Sequence, residues 1–222
     1  MYKHTCQAYS QGFLSVTLVF VSLQQAVLGV LEAGPMTGYD LTRFFESSAR
    51  WVWSAPQSQI YPLLRKLEAE GLIEGEEQIR GEKLRRTSYS ITPAGHRNLG
   101  GWLIEAYEEP NIRDPLLLKA LFFDMVDAGK AELVLRNHVE ELQANIEQWA
   151  VHRTRLLARD TPLLQKRLRH RDEEDHERIA RLKAHVFDYL IDSARLRIEW
   201  AERAIELLHL PATQLDSAGT GR

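Results

Sequence analysis

The residues best suited to chemistry in this chain lie in one short run, Gln57 to Gly71, which reads QSQIYPLLRKLEAEG. Ile60, Leu64 and Leu67 recur at helical spacing and define a buried face, which turns Gln57, Ser58, Gln59, Tyr61, Arg65 and Lys66 outward or to the flanks. That outward set suits a DNA major groove. Glutamine can make a bidentate contact to adenine and arginine to guanine, while the hydroxyls of Ser58 and Tyr61 can reach phosphates that fix the register. Lys66 adds charge. Pro62 removes a backbone hydrogen bond from the run, so the helix is expected to begin late or to kink there. On residue types alone, a polar surface helix fits this stretch equally well.

A second group stands just beyond it. Arg80, Lys83, Arg85 and Arg86 put four basic residues among seven, at and just after the tip of an expected hairpin, where they would approach phosphates or a minor groove. Glu74, Glu76, Glu77 and Glu82 oppose them, so the basic patch is local and any DNA binding through it should be salt-sensitive. The formal net charge of the whole chain is -3, which gives no general basic field and leaves such binding to this patch. A solvated, charged hairpin is the plainer alternative.

Both groups need elements to position them. Leu23, Val27, Leu28, Val30 and Leu31 repeat at helical spacing over 22–33 until Gly34-Pro35 stops the segment. Thr37 can cap a second helix to about Ser47, with Tyr39, Leu41, Phe44 and Phe45 as its bulky members and Gly38 allowing close approach to a neighbour. Ser54 can cap the third, which runs to about Glu70 and ends at Gly71. Leu72, Ile73 and Ile79, a turn around Arg80-Gly81-Glu82, and alternating Thr87, Tyr89 and Ile91 read as a two-stranded hairpin. Thr92-Pro93 then opens a fourth helix through Leu99, Trp102, Leu103 and Ile104. Three helices, a hairpin and a helix make the order of a winged helix domain.

Beyond Pro110 the pattern is wholly helical. Asp114-Pro115 caps a short helix to about Asp127, Gly129 separates it from a long helix over about 130–159, and the last runs from about Asp172 to His209. Along that last helix Ile179, Leu182, Val186, Tyr189, Ser193, Leu196, Trp200, Arg203 and Leu207 alternate in spacings of three and four, a heptad seam imperfect at Ser193 and Arg203. Phe187, Leu190, Ala194, Ala201, Ile205 and Leu208 form a second stripe. A helix apolar on two sides can pack within its chain on one and against a second copy on the other, so a homodimer is expected, with Ile179, Leu182, Val186, Tyr189, Leu196 and Trp200 in its seam. The alternative is a buried helix of a monomeric bundle.

Composition narrows the function class. With 222 residues, 44% hydrophobic and 27% charged, the chain can bury one good core or two small ones and is not composed like a disordered protein. The single cysteine, Cys6, excludes an internal disulfide and a multi-cysteine zinc site, and fits a reducing cytosol. The apolar run 12–31 is diluted by Ser15, Thr17, Ser22, Gln24 and Gln25, which argues against a membrane span. Residues 1–20 read as an extension before a domain that begins near Val21. No Gly-rich phosphate loop, nucleophile elbow or HExxH is present, so no enzyme and no cofactor is expected. His170 and His176 flank RDEED, but six residues put them on different faces of a helix, and no metal site is expected.

Three stretches, taken in order, resemble the PadR family of winged helix transcriptional regulators: SLQQAVLGVLEAGPMTGYDL, SQIYPLLRKLEAEGLIE and YSITPAGHRNLGGWL. They cover 22 to about 107, and the helical remainder is similar to the dimerisation domain of the larger subfamily. The resemblance implies a cytoplasmic homodimer that represses transcription and is released by a small phenolic or hydrophobic molecule. It also implies that Tyr61 and the helix around it read DNA and that Arg80 to Arg86 form the wing. The extension before Val21 departs from the family pattern.

The expected architecture is therefore mainly α: an extension over 1–20, a winged helix DNA-binding domain over 21–109, a helical dimerisation and effector domain over 110–209, and a flexible tail over 210–222. Double-stranded DNA, a second copy and an aromatic effector are the expected partners. Among five tryptophans, Trp149 and Trp200 are favoured as effector contacts because they lie on the long helices. A winged helix that docks proteins without DNA specificity is the competing reading of a different class, and a helical small-molecule carrier or enzyme is the third.

Overall fold

The computed structural model describes residues 23–47, 55–80, 84–107, 109 and 113–210. Two compact units divide the chain: residues up to Tyr107 together with Gln165–Arg171, and Glu108–Leu164 together with the chain from Asp172.

In the first unit, helix α1 is described over 23–31 and buries Leu23, Val27, Leu28 and Leu31. Strand β1 is only Met36–Thr37, and helix α2 follows at once as Gly38–Ser47. Thr37 and Asp40 cap that helix reciprocally: the Asp40 N–H donates to the Thr37 hydroxyl at 3.2 Å and the Thr37 N–H to the Asp40 carboxylate at 3.3 Å. Leu41 and Phe45 are the buried members of α2. Tyr39, expected among its apolar residues, is 61% exposed. It stands two residues before Leu41, and at 3.6 residues per turn that is nearly the opposite side of the helix.

Helix α3 spans Gln57–Ala69 and buries Ile60, Leu63, Leu64 and Leu67. Pro56 flanks its start in an extended conformation without a side-chain cap, while Ser54, the expected cap, lies outside the described residues. The bond that Pro62 removes is the one to the carbonyl of Ser58, an exposed residue where water can replace it. At the far end Gly71 adopts φ +69, its N–H donates to Glu68, and the Leu72 N–H donates to Leu67. This six-to-one bond, which needs the left-handed residue that glycine tolerates, turns the chain into the sheet.

Strands β2 (Ile73–Arg80) and β3 (Leu84–Ile91) pair antiparallel, with Ile73 opposite Ile91 and Arg80 opposite Leu84. The sheet is three-stranded in the order β1-β3-β2, since Met36 pairs with Tyr89 and Thr37 with Ser88. A hairpin of two strands was the expectation; the third strand is two residues long and has no periodicity to read. Helix α4 (Pro93–Leu103) starts as expected. The Thr92 hydroxyl accepts from Gly95 and donates to the Gly71 carbonyl, fastening the start of α4 to the end of α3.

Gln165–Arg171 completes this unit. Arg167 donates to the Gly29 carbonyl in the last turn of α1 and lies 2.9 Å from the Glu32 carboxylate, which Arg171 also engages. The Ala33 N–H turns to Val30 instead of Gly29, so the guanidinium supplies the donor that a helix end lacks.

In the second unit, Asp114 caps helix α5 (Pro115–Ala120) by accepting the N–H groups of Leu116 and Leu117. A short 3-10 turn follows at Phe123–Met125, then helix α6, Ala128–Leu157. The short helix was expected to reach Asp127 and Gly129 to separate it from the next. Instead Asp127 caps α6 through the Lys130 N–H, which draws Gly129 into the first turn. Helix α7 (Pro162–Leu168), whose residues from Gln165 belong to the first unit, was not anticipated, although Thr161-Pro162 repeats the Thr92-Pro93 arrangement.

The last helix, α8, is Glu173–Leu208. It packs along α6, with Ala180, Ala184, Phe187, Ile191, Ala194 and Ala201 buried on its side and Leu135, Leu142, Trp149 and Leu156 on the other. Small residues facing large ones let two long helices approach closely. His152 stacks obliquely on Phe187 at 4.7 Å. Leu190, Ile205 and Leu208 of the anticipated inner stripe are half-buried. Among the described residues no helix is long and apolar enough to cross a membrane.

Candidate nucleic-acid interface

Helix α3 leaves Gln57, Ser58, Gln59, Tyr61, Arg65 and Lys66 exposed, and its buried leucines fix that orientation. Lys66 pairs with Glu70 at 3.7 Å, a contact between exposed side chains that a phosphate can displace. Of the expected wing, Arg86 is exposed on β3 opposite Gln78. Arg80 opposes Leu84 and Arg85 opposes Ile79 in the register, their side chains lying outside the described part, as does all of Lys83.

Between these elements the structure brings Tyr61 and Arg86 together with residues that the sequence did not assign to DNA binding. Thr37, Gly38, Tyr39, Tyr61, Arg86, Thr87 and Tyr89 line a cavity of about 360 Å³. Gly38 is required there, because a Cβ would stand 2.8 Å from the Tyr61 ring. Gly75 on β2 clears space for Glu68, Thr87 and Tyr89, to which a Cβ would lie 2.5, 2.9 and 3.2 Å away. Burial, then the nearby Glu68, pushes the Tyr89 phenol above its ordinary pKa, with Arg65 acting in the opposite direction. Tyr89 is therefore a neutral hydroxyl donor at physiological pH. The sequence signal for this group was Gly38-Tyr39 beside a cap and the alternation of Thr87 and Tyr89, both of which read simply as packing.

The favoured tryptophans diverge. Trp149 is buried on α6, and its indole N–H has no hydrogen-bond partner within the described residues. Trp200 lines a cavity of about 710 Å³ in the second unit together with Asp114, Pro115, Leu117, Leu118 and Leu121. At the edge of that group Arg197 joins the Asp114 carboxylate to the His138 ring, and the hydrogen bond from Arg197 holds the Asp114 carboxyl below its ordinary pKa. The expected outer seam of α8 is open in the single chain: Leu182, Val186, Tyr189 and Leu196 are exposed, Ile179 and Trp200 half-buried.

Comparison with known proteins agrees with this geometry. Residues 27–101 match the model of the transcriptional regulator PadR-like family, and residues 112–209 match that of the virulence activator alpha C-terminal domain. The chain is 34% identical over 142 residues to the negative transcriptional regulator PadR of Bacillus subtilis, an alignment that covers 64% of this chain and 78% of the relative. The crystal structure of that PadR in complex with operator DNA superimposes with a TM-score of 0.68 at 26% identity, covering 84% of this chain and 99% of the other. Its structure with p-coumaric acid gives 0.63 at 25% identity, covering 87% and 98%. The Vibrio cholerae virulence activator AphA gives 0.60 at 26% identity, covering 84% and 97%. With the family model on the winged helix half, the activator-type model on the helical half and a relative above 30% identity along most of its length, this chain belongs to the PadR-like family of DNA-binding transcriptional regulators and is not an enzyme.

Proposed function

We propose that this chain works in the cytoplasm as a homodimeric repressor that reads a near-palindromic operator and is released by a small aromatic or hydrophobic effector. The DNA-binding domain in this reading is 21–109 and the dimerisation and effector domain 110–209. One observation carries it: the side chains left outside by α3 are glutamines, hydroxyls, an arginine and a lysine, a set able to read base edges and grip phosphates. Gln57, Gln59 and Arg65 are the base readers; Ser58, Tyr61 and Lys66 hold the backbone. Arg80, Lys83, Arg85 and Arg86 form the wing.

The dimer seam is the outer face of α8, through Ile179, Leu182, Val186, Tyr189, Leu196 and Trp200. In support, Tyr189 is 72% exposed and Leu196 62% exposed on a helix whose other face is already packed. Two-fold symmetry then calls for half-sites about one helical turn apart, or a multiple of it. The negative action of the Bacillus subtilis relative favours repression, and its structure with p-coumaric acid makes that compound the first effector to try. Trp200 on the wall of an apolar cavity is the better placed effector contact; the Trp149 indole N–H has no partner among the described residues.

The test is a mobility-shift titration against the DNA upstream of its own gene, with unrelated competitor, at low and near-physiological salt. Saturable binding that survives competitor is expected. Arg65→Ala should relax sequence preference, with a cost of about 1–3 kcal/mol on the cognate site. Arg85→Ala should weaken binding evenly across sequences. Two variants that bind as the parent does would refute the roles of α3 and the wing.

A further inference from the structure

We propose that the cavity between α2, α3 and β3 is a seat for one phosphodiester of the DNA backbone, held by the Arg86 guanidinium and the phenolic hydroxyls of Tyr39, Tyr61 and Tyr89. The proposal rests on the DNA-binding reading above and extends it to Tyr39 and Tyr89, which belong neither to the exposed face of α3 nor to the basic tip of the wing.

The chemistry of the wall carries it. Among the described residues the cavity is bounded by one guanidinium, three phenols and two threonines, with no carboxylate in its lining. Such a wall offers one positive charge and several neutral donors to an anion; the Glu68 carboxylate lies near Tyr89 but is not among the lining residues. Asp40, at the start of α2, is engaged by the Thr37 N–H and hydroxyl and is not part of the wall. The donors offered by the seat are side chains.

Two backbone positions preserve the shape. Gly38 leaves out a Cβ that would stand 2.8 Å from the Tyr61 ring, and Gly75 one that would first meet the Glu68 carboxylate at 2.5 Å and the Thr87 methyl at 2.9 Å, with the Tyr89 ring at 3.2 Å. The rings of Tyr61 and Tyr89 are thus set against backbone, while Tyr39 stays exposed at the mouth. Fixing donors before the anion arrives lowers the ordering cost of binding. Arg65 on α3 and Arg86 on β3 bring positive charge to the two elements that meet here, as a DNA strand followed from groove to wing requires.

Tyrosine and arginine donors differ in a way that an experiment can read. Replacing a guanidinium releases one fewer counterion and lowers the dependence of log K on log salt by about one, whereas removing a neutral hydroxyl leaves that slope unchanged. The measurement is a mobility-shift titration of the full chain, as parent, Y39F, Y89F and R86Q, on duplexes from upstream of its own gene carrying a methylphosphonate at one position at a time. Phenylalanine keeps each ring, so the fold is retained.

Y39F and Y89F should each lose about tenfold on the unmodified duplex with the parental salt slope. R86Q should lose affinity with a shallower slope. At one phosphate in each half-site, methylphosphonate should weaken the parent by about tenfold and the tyrosine variants by little more, because the same contact is already gone. Parental binding by Y39F and Y89F, or losses that multiply at every phosphate, would overturn the seat while leaving the regulator reading intact. A parent that binds no duplex would overturn that reading, and the seat with it.

Discussion

His138 on α6 accepts from the Arg197 guanidinium on its Nε2 at 3.3 Å, so the ring is neutral at that nitrogen. Burial first, then Arg197, pushes its pKa below the ordinary 6.5, with Glu141 and Asp114 acting the other way. His152 is lowered too, by burial and then by Arg155. An imidazole whose folded pKa is depressed contributes stability in full above the unfolded value and loses it as pH falls through the folded one. Asp114, lowered mainly by its hydrogen bond from Arg197, acts in the same direction in a window below 3.8. The expected outcome is a thermal midpoint that falls between about pH 7.5 and about pH 5.5, and falls less in the double variant H138Q/H152Q. A parental midpoint flat across that range would contradict the assignment.

At the same scale, the legibility of the candidate site is uneven for a physical reason. The exposed face of α3 could be read because its core partners Ile60, Leu64 and Leu67 obey helical spacing. Gly38 was readable as a point of close approach, although not what approaches, which is Tyr61 from another helix. Tyr39 was taken for packing, since a phenol is apolar by composition and only the helical angle to Leu41 reveals that it faces away. No local pattern joins Tyr39 to Tyr89; the β1–β3 pairing of Met36 with Tyr89 does so.

Among the elements, those with caps and long periodicity were legible and the short ones were not. Thr92-Pro93 and Asp114-Pro115 start α4 and α5 where their cap chemistry demands. Strand β1 and helix α7 hold two and seven residues, too few for a period to emerge. Helix α8 was legible as apolar on two sides, and its inner side is defined by alanines that admit α6 closely. The outer side gives a prediction of its own. Leu196→Asp places a charge in the proposed seam without touching the buried face, so light scattering should report the 25.6 kDa chain in place of twice that mass, with helical content retained. Operator affinity should fall with it, because one reading helix is left where two acted together. A variant that remains dimeric would move the seam elsewhere.

For the whole molecule, the unit that carries α3 and the wing is discontinuous in sequence, since it takes in Gln165–Arg171. Glu32 is largely shielded from solvent and meets the guanidinium groups of Arg167 and Arg171. A fragment ending near Tyr107 keeps this carboxylate and loses both cations. Breaking a shielded ion pair costs stability, so E32Q should destabilise the full chain against urea and change much less in the fragment, where the carboxylate has already lost its partners. Equal losses in the two backgrounds would refute the account. The consequence reaches to how such regulators can be recombined. A chimera spliced once, at the loop after α4, separates Glu32 from the arginines that meet it. Grafting a different helical half onto this winged helix unit therefore requires three junctions, with the seven residues from Gln165 to Arg171 travelling with the winged helix.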